Sequence, residues 1–168
     1  NIDMALTKLG PNDANTVGDL PAIGSSAVDF TLTATNMKDV SLKEFAGKNV
    51  VLNIFPSVDT STCSTSVREF NKRVTSKDNT VILCISKDLP FAQKRFCGAE
   101  GIDRAITLSD FRGRGFGKAY GVELVDGGFA GLFARAVVVI DTSGKVKYTE
   151  LVPQIGQEPN YEAALKAI

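Results

Sequence analysis

The sequence predicts an α/β fold, a central mixed β-sheet flanked by helices, with a β-hairpin at the N-terminus. Three observations lead there. Short apolar runs rich in β-branched residues, such as NVVLNIF and TVILCIS, alternate with segments whose apolar residues recur at helical spacing. These runs are bounded by Gly, Pro, Asn and Asp, the residues that break strands and start turns. The last two runs, in ARAVVVIDTSGKVKYTEL, are separated by the turn signal DTSG and read as a closing hairpin. A length of 168 residues suits one domain, 1–168. A chain of this size buries roughly 70% of its unfolded surface and needs no staples to fold.

Residues 4–17 carry the turn-rich stretch GPNDAN between two short candidate strands, which gives the first hairpin. VDFTLTA, from Val28, alternates apolar and polar residues and reads as a strand. SLKEFAG reads as a short helix opened by Ser41 and stopped by Gly47. NVVLNIF, from Asn49, is mostly apolar and β-branched, a buried strand that Pro56 ends. A helix follows from about Thr62 to Ser76, with Val67, Phe70 and Val74 on one apolar face. TVILCIS, from Thr80, is a second buried strand. PFAQKRFCGAEG holds a helix with Pro90 at its start and Gly98 or Gly101 at its end. A short strand is expected near Ala105 and a short helix near Asp110. VDGGFAG is a loop, and YEAALKAI a terminal helix. The alternation places helices on both faces of the sheet and matches a thioredoxin-like arrangement.

Composition narrows the chemistry. Lys plus Arg equals Asp plus Glu, 19 each, so no general electrostatic pull toward nucleic acid or anionic membrane is expected. The count of histidines is 0. That removes Ser-His-Asp hydrolysis, Cys-His proteolysis and His-ligated metal sites. Acid and base work at neutral pH then falls to Cys, Lys, Asp or Glu in perturbed surroundings. The 3 cysteines, Cys63, Cys84 and Cys97, do not form a secreted disulfide scaffold or a zinc site, since the CxxC spacing is missing. No metal or cofactor is expected. No stretch approaches ~18 apolar residues and no basic-then-apolar leader is visible, so a cytoplasmic address is expected. Asn1–Asp3, ahead of Met4, are compatible with a cloning remnant.

The chemistry sits at PSVDTSTCSTSVREF, from Pro56 to Phe70. A thiol of ordinary pKa, ~8.5, is mostly protonated at neutral pH, and the thiolate is the nucleophile. Free N–H groups and the macrodipole at a helix N-terminus stabilise negative charge on sulfur. Cys63 falls in the first turn of the predicted helix, on the same face as Val67, Phe70 and Val74, so its sulfur points to the edge of the sheet. Thr60 lies one turn earlier, where its hydroxyl can meet the sulfur or a bound peroxide oxygen, and Pro56 can shield the site from water. The bland alternative is a small core cysteine with Thr60 as a helix cap. Cys97 has Gln93 and Lys94 at i−4 and i−3, which puts it on a polar face as an accessible thiol or as a tolerated surface cysteine. Cys84, inside VILCI, reads as core. Arg135 interrupts the apolar run GLFARAVVVI. It is either a guanidinium beside the Cys63 sulfur, favouring the thiolate and binding peroxide oxygens, or a strand-end Arg reaching water.

Together these residues resemble the bacterial thiol peroxidases, a subfamily of the atypical two-cysteine peroxiredoxins. Three segments carry the resemblance: PxxxTxxC, here Pro56, Thr60 and Cys63; LCISKDLPFAQKRFCGAEG, with Cys84 and Cys97; and ARAVVVID, with Arg135. They follow the family's order, and the likeness covers nearly the whole chain after Met4. The resemblance implies a peroxidatic Cys63 whose peroxide is polarised by Thr60 and Arg135, with Pro56 shielding the thiolate. It implies that Cys97 resolves the resulting sulfenic acid as an intramolecular disulfide and that Cys84 takes no part. Hydrogen peroxide and alkyl hydroperoxides are the implied substrates, thioredoxin the implied reductant and a homodimer the implied assembly. A disulfide needs Cα atoms within ~7 Å, and the two cysteines lie on separate predicted helices, so both helix ends are expected to unwind partly during turnover. Two rival readings are a general thiol–disulfide oxidoreductase, which usually carries CxxC, and a redox sensor that oxidises without turning over.

Overall fold

The structure, a computed structural model, describes residues 4–168; Asn1–Asp3 lie outside the described residues. In chain order the elements are β1 (Leu6–Leu9), β2 (Asn12–Asn15), β3 (Thr31–Ala34), β4 (Asp39–Ser41), a 3-10 turn over Leu42–Phe45, β5 (Asn49–Ile54), α1 (Ser61–Arg73), β6 (Thr80–Ser86), α2 (Pro90–Glu100), β7 (Ile106–Ser109), α3 (Phe116–Ala119), β8 (Ala136–Ile140), β9 (Val146–Leu151) and α4 (Tyr161–Lys166). β3 to β9 form one sheet of 7 strands in the order β4-β3-β7-β6-β5-β8-β9, and β1 with β2 forms a separate ribbon. The central strands β5, β6 and β7 run parallel, while β3 and β8 run antiparallel to their neighbours. This is the mixed sheet with an N-terminal hairpin that the alternation of elements predicts. Among the described residues no helix is long and apolar enough to cross a membrane.

Side chains alternate across the central strands with period two, and each strand feeds two cores. Val50, Leu52 and Ile54 of β5, Leu83 and Ile85 of β6, and Ala136, Val138 and Ile140 of β8 face one side, where Phe116, Tyr120, Phe133 and Phe30 cover them. Val51 and Phe55, Ile82 and Cys84, Val137 and Val139 face the other, where Cys63, Val67 and Phe70 of α1, Phe96 of α2 and Tyr161 and Ala164 of α4 pack on them. All three cysteines therefore belong to one layer. Phe70 is fully buried with its ring edge against Tyr161 at 5.0 Å between centroids, a burial that stabilises by about 2 kcal/mol.

Local chemistry explains the helix ends. Lys72 and Arg73 in the last turn of α1 complement its dipole, and Thr75 and Ser76 donate to the Lys72 and Arg73 carbonyls. A 3-10 turn over Val74–Ser76 completes the helix where the sequence places its end. α2 begins with Pro90 at its first turn, where a missing N–H costs nothing, and stops at Gly101, whose φ of 64° suits glycine.

Four local expectations are corrected. Only Gly10 and Pro11 of GPNDAN form the turn, with Leu9 opposite Asn12, so NDAN is β2 itself. Gly10 takes φ 61° at the first loop position, as a primed hairpin turn requires. Val28–Phe30 stay outside β3, because the Asp29 carboxylate accepts from the Phe30 and Lys43 N–H groups and replaces ladder bonds. SLKEFAG is a 3-10 turn with a capping box between Ser41 and Glu44, and Ser41 itself ends the unexpected strand β4. The helix expected near Asp110 starts instead at Phe116. Asp110 accepts from the N–H groups of Gly113 and Arg114, which makes a turn, and Gly113 and Gly115 sit at positive φ.

Candidate active site

β5 delivers the chain to Pro56, which is buried, and the loop to Thr60 turns it into α1. Thr60 is the N-cap, with extended φ −100° and ψ 145°. Cys63 is thus the third helical residue, where backbone N–H groups lack intrahelical acceptors and the dipole is positive. Its side chain is 0% exposed. The Cys63 carbonyl accepts from Ser66 Oγ at 2.8 Å, and Ser66 Oγ accepts from Asn53 Nδ2 of β5 at 3.2 Å. A buried amide in an otherwise apolar strand therefore ties the first turn of α1 to the sheet. The Thr60 hydroxyl donates to the Ser57 carbonyl at 3.1 Å rather than to the sulfur, and it makes no capping bond.

Arg135 lies immediately before β8 and is 1% exposed. Its Nη2 donates to Cys63 Sγ at 3.2 Å, and its Nε donates to the Ile155 carbonyl at 2.7 Å. Among the described residues it has no carboxylate within ion-pair distance, and its Nη1 has no partner. A buried guanidinium without a counter-ion is costly unless an anion completes it. Among the described residues its side-chain partner is the Cys63 sulfur, and the free Nη1 leaves one donor for an incoming oxygen.

Cys97 sits elsewhere. Its thiol is half-buried and shares a 3.6 Å contact with Thr107 Oγ1 on β7. Burial raises its pKa above the ordinary thiol value of 9.0, and the Thr107 contact offsets part of that. The polar-face reading of its helix is corrected: Gln93 is fully buried, because α2 turns Pro90, Gln93 and Phe96 to the sheet. The Gln93 amide is accommodated by donating to Ser86 Oγ at 3.1 Å and to the Leu108 carbonyl at 3.0 Å. Lys94 alone of the two neighbours points to solvent. Cys84 is core, as expected. It accepts weakly from Asn53 Nδ2 at 3.6 Å, and burial pushes its pKa up to about 12.

A cleft of about 330 Å³ opens between the start of α1 and the second half of α2, lined by Thr60, Ser61, Ser64, Arg95, Phe96 and Glu100 among others. Two exposed ion pairs bridge these elements, Arg95 to Asp59 at 3.1 Å and Arg68 to Glu100 at 3.2 Å. Such pairs hold loosely, at about 0–1 kcal/mol each. A cavity of about 290 Å³ lies at the other end of β5, beside Leu42, Phe45 and the β8–β9 turn, and no thiol faces it.

The sequence matches the Redoxin family over residues 22–165. It is 59% identical over 165 residues to the thiol peroxidases of Mycobacterium tuberculosis and Mycobacterium bovis, covering 98% of this chain and 99% of theirs. This chain belongs to the thiol peroxidase family. Solved structures agree with that family's fold. A peroxiredoxin-like protein from Aquifex aeolicus superposes with a TM-score of 0.91 at 36% identity, over 98% of this chain and 97% of that one. A thiol peroxidase from Chromobacterium violaceum superposes with a TM-score of 0.90 at 23% identity, over 98% and 95%. The thioredoxin-like fold expected from the sequence is thus the one found, and thiol peroxidases are oxidoreductases.

Within this member of the thiol peroxidase family, the five residues singled out from sequence have different placements. Cys63 and Arg135 meet. Thr60 and Pro56 frame the loop before Cys63 without bonding its sulfur. Cys97 packs in the same layer but turns its thiol to Thr107. Sequence reading missed Asn53, Ser66 and the Ile155 carbonyl. Asn53 had a signal, an amide inside a buried strand; a backbone acceptor such as Ile155 has none.

Proposed function

We propose that the protein reduces hydrogen peroxide and alkyl hydroperoxides with Cys63 as nucleophile and Cys97 as resolving thiol. The observation that carries this reading is the uncompensated, buried Arg135, with one nitrogen 3.2 Å from Cys63 Sγ and another unpartnered. The guanidinium donates to the sulfur, which sits in the first turn of α1. The thiolate attacks the terminal peroxide oxygen, a new S–O bond forms and the O–O bond breaks. The departing oxygen carries away the bonding pair and takes a proton as water or alcohol. Arg135 Nη1 is the donor best placed to stabilise the charge on that oxygen, and Thr60 Oγ1 can turn from Ser57 to assist. Pro56, buried behind the loop, limits access of water. Cys63 is left as a sulfenic acid.

The Cys97 thiol then attacks the sulfenic sulfur. An S–S bond forms, and the hydroxyl leaves as water with the thiol proton. Because the Cys97 thiol contacts Thr107 of β7 and Cys63 is fully buried, both helix ends must loosen for the sulfurs to meet. An external dithiol, thioredoxin in this reading, reduces the disulfide by exchange. The chain acts as one domain in the cytoplasm and pairs as a homodimer, for which Leu89, Phe91 and Phe111 are exposed apolar side chains available for contact.

The test is peroxide consumption with thioredoxin, its reductase and NADPH. The parent turns over, Cys63→Ser is inactive, and Cys97→Ser stops after one equivalent. Full activity in Cys63→Ser would refute the reading. Oxidation without turnover in the parent would favour a sensor, and disulfide reduction without peroxide would favour a general oxidoreductase.

A further inference from the structure

The segment between β6 and α2 links the two cysteine-bearing helices, and none of the steps above uses it. Its Asp88 is half-buried and, among the described residues, pairs with no cation. Hydrogen-bond donors meet its charge instead. Asp88 Oδ1 accepts from Ser57 Oγ at 2.7 Å, and Oδ2 accepts from the Val58 N–H at 2.9 Å and from Ser86 Oγ at 2.5 Å. Ser57 and Val58 belong to the loop that leads into Cys63. Ser86 Oγ in turn accepts from Gln93 Nε2 at 3.1 Å, one helical turn before Cys97. Ser109 of β7 donates to the Asp88 carbonyl and fixes the segment from behind. One carboxylate thus holds the peroxidatic loop on one side and the resolving helix on the other.

We infer that Asp88 is a positioning residue, a latch that sets the balance between the closed arrangement in which Cys63 meets peroxide and the open one in which Cys63 and Cys97 join. The inference rests on Cys97 being the resolving thiol. Loosening the start of α1 requires Ser57 and Val58 to leave Asp88, so these bonds oppose opening. The same bonds hold the loop that carries Thr60 and leads into the first turn of α1, where Cys63 sits. Weakening the latch therefore shifts two steps in opposite directions, the peroxide step down and the disulfide step up. An amide at this position keeps only one acceptor oxygen for three donors.

The test uses quench-flow with thiol alkylation and peptide mass spectrometry on the whole chain. Loss of the Cys63 thiol to peroxide is timed in a Cys97→Ser background, and Cys63–Cys97 disulfide formation is timed with all cysteines present. Asp88→Asn slows the first and speeds the second, each by about tenfold, the size expected when a charge-assisted hydrogen bond is lost. Ser57→Ala, which removes one donor and leaves the carboxylate, shifts both rates the same way by less, and it serves if Asp88→Asn folds poorly. A variant that is merely destabilised does not speed the second step. Rates that fall together, that stay at parental values, or of which only one moves overturn the latch. A parent that forms no Cys63–Cys97 disulfide overturns the underlying reading, and that result is visible before any Asp88 variant is made.

Discussion

Arg135 is among the largest fully buried side chains in the molecule, yet among the described residues its charge has no carboxylate partner. A residue kept for stability would be better replaced by a hydrophobe of the same volume. Arg135→Met is accordingly expected to change the denaturant midpoint little, removal of the unpaired buried charge offsetting the lost donor to the Ile155 carbonyl, while peroxide reduction by Cys63 falls by about 100-fold or more, the size seen when a donor to a developing oxyanion is removed. Arg135→Lys is expected to fall almost as far, because one ammonium cannot reach both the Ile155 carbonyl and the sulfur with a planar fork. A midpoint that collapses in parallel with activity would assign the guanidinium a structural role. The candidate site is legible in the sequence where it consists of side chains close together in the chain. Pro56, Thr60 and Cys63 form one short pattern, and Arg135 stands out as a charge in an apolar run. The partners that hold these groups were not visible. Ile155 contributes only a backbone carbonyl, and Ser57 meets Asp88 across 31 residues of chain.

The N-terminal hairpin gives the element scale its least expected connection. The Ile155 N–H donates to the Lys8 carbonyl at 2.8 Å, and Thr7 Oγ1 donates to the Val152 carbonyl at 2.7 Å. Gln154 exchanges two bonds of 2.9 Å with the backbone of Gly10. The hairpin therefore fixes the segment whose Ile155 carbonyl anchors Arg135 Nε, and Thr62 of α1 donates to the next carbonyl, that of Gly156, at 3.1 Å. Thr7→Val leaves the buried Val152 carbonyl without this donor and is expected to lower stability by about 1–2 kcal/mol. It is also expected to lower kcat/KM for peroxide severalfold. Urea unfolding and initial rates on one preparation check both, and an unchanged kcat/KM would remove the hairpin from the site's support. The long central strands were legible because both faces are buried and their residues are apolar throughout. β2 and β4 were not. They are short, polar edge strands whose pairing follows from register with a neighbour, and their own composition carries no strand signal.

Across the whole molecule, the parallel crossovers β5-α1-β6-α2-β7 put α1 and α2 on one face, where α4 joins them, and this gathers all three cysteines into a single layer without cross-linking them. The fold class was legible from alternation alone, but the facing of each helix was not. The polar Gln93 predicts a polar face for Cys97, whereas this amide, donating to two acceptors, packs inward. Cys84 gives this layer a pH signature. Its pKa rises from 9.0 in the ordinary thiol to about 12 in the folded protein, through burial. The unfolded chain loses that proton first, so the stability Cys84 contributes is complete below about pH 9 and is lost as pH rises toward 12, with a limiting slope of about 1.4 kcal/mol per pH unit. Cys84→Ala is expected to be less stable at pH 7 but to lose stability less steeply above pH 9; parallel unfolding curves for the two proteins would contradict this. Which two thiols react is decided by peptide mapping after one equivalent of peroxide, with free thiols alkylated at the moment of quenching. A Cys63–Cys97 disulfide is expected, with Cys84 recovered as an alkylated free thiol. Recovery of Cys63 as an unoxidised thiol, or of Cys84 in the disulfide, would contradict it.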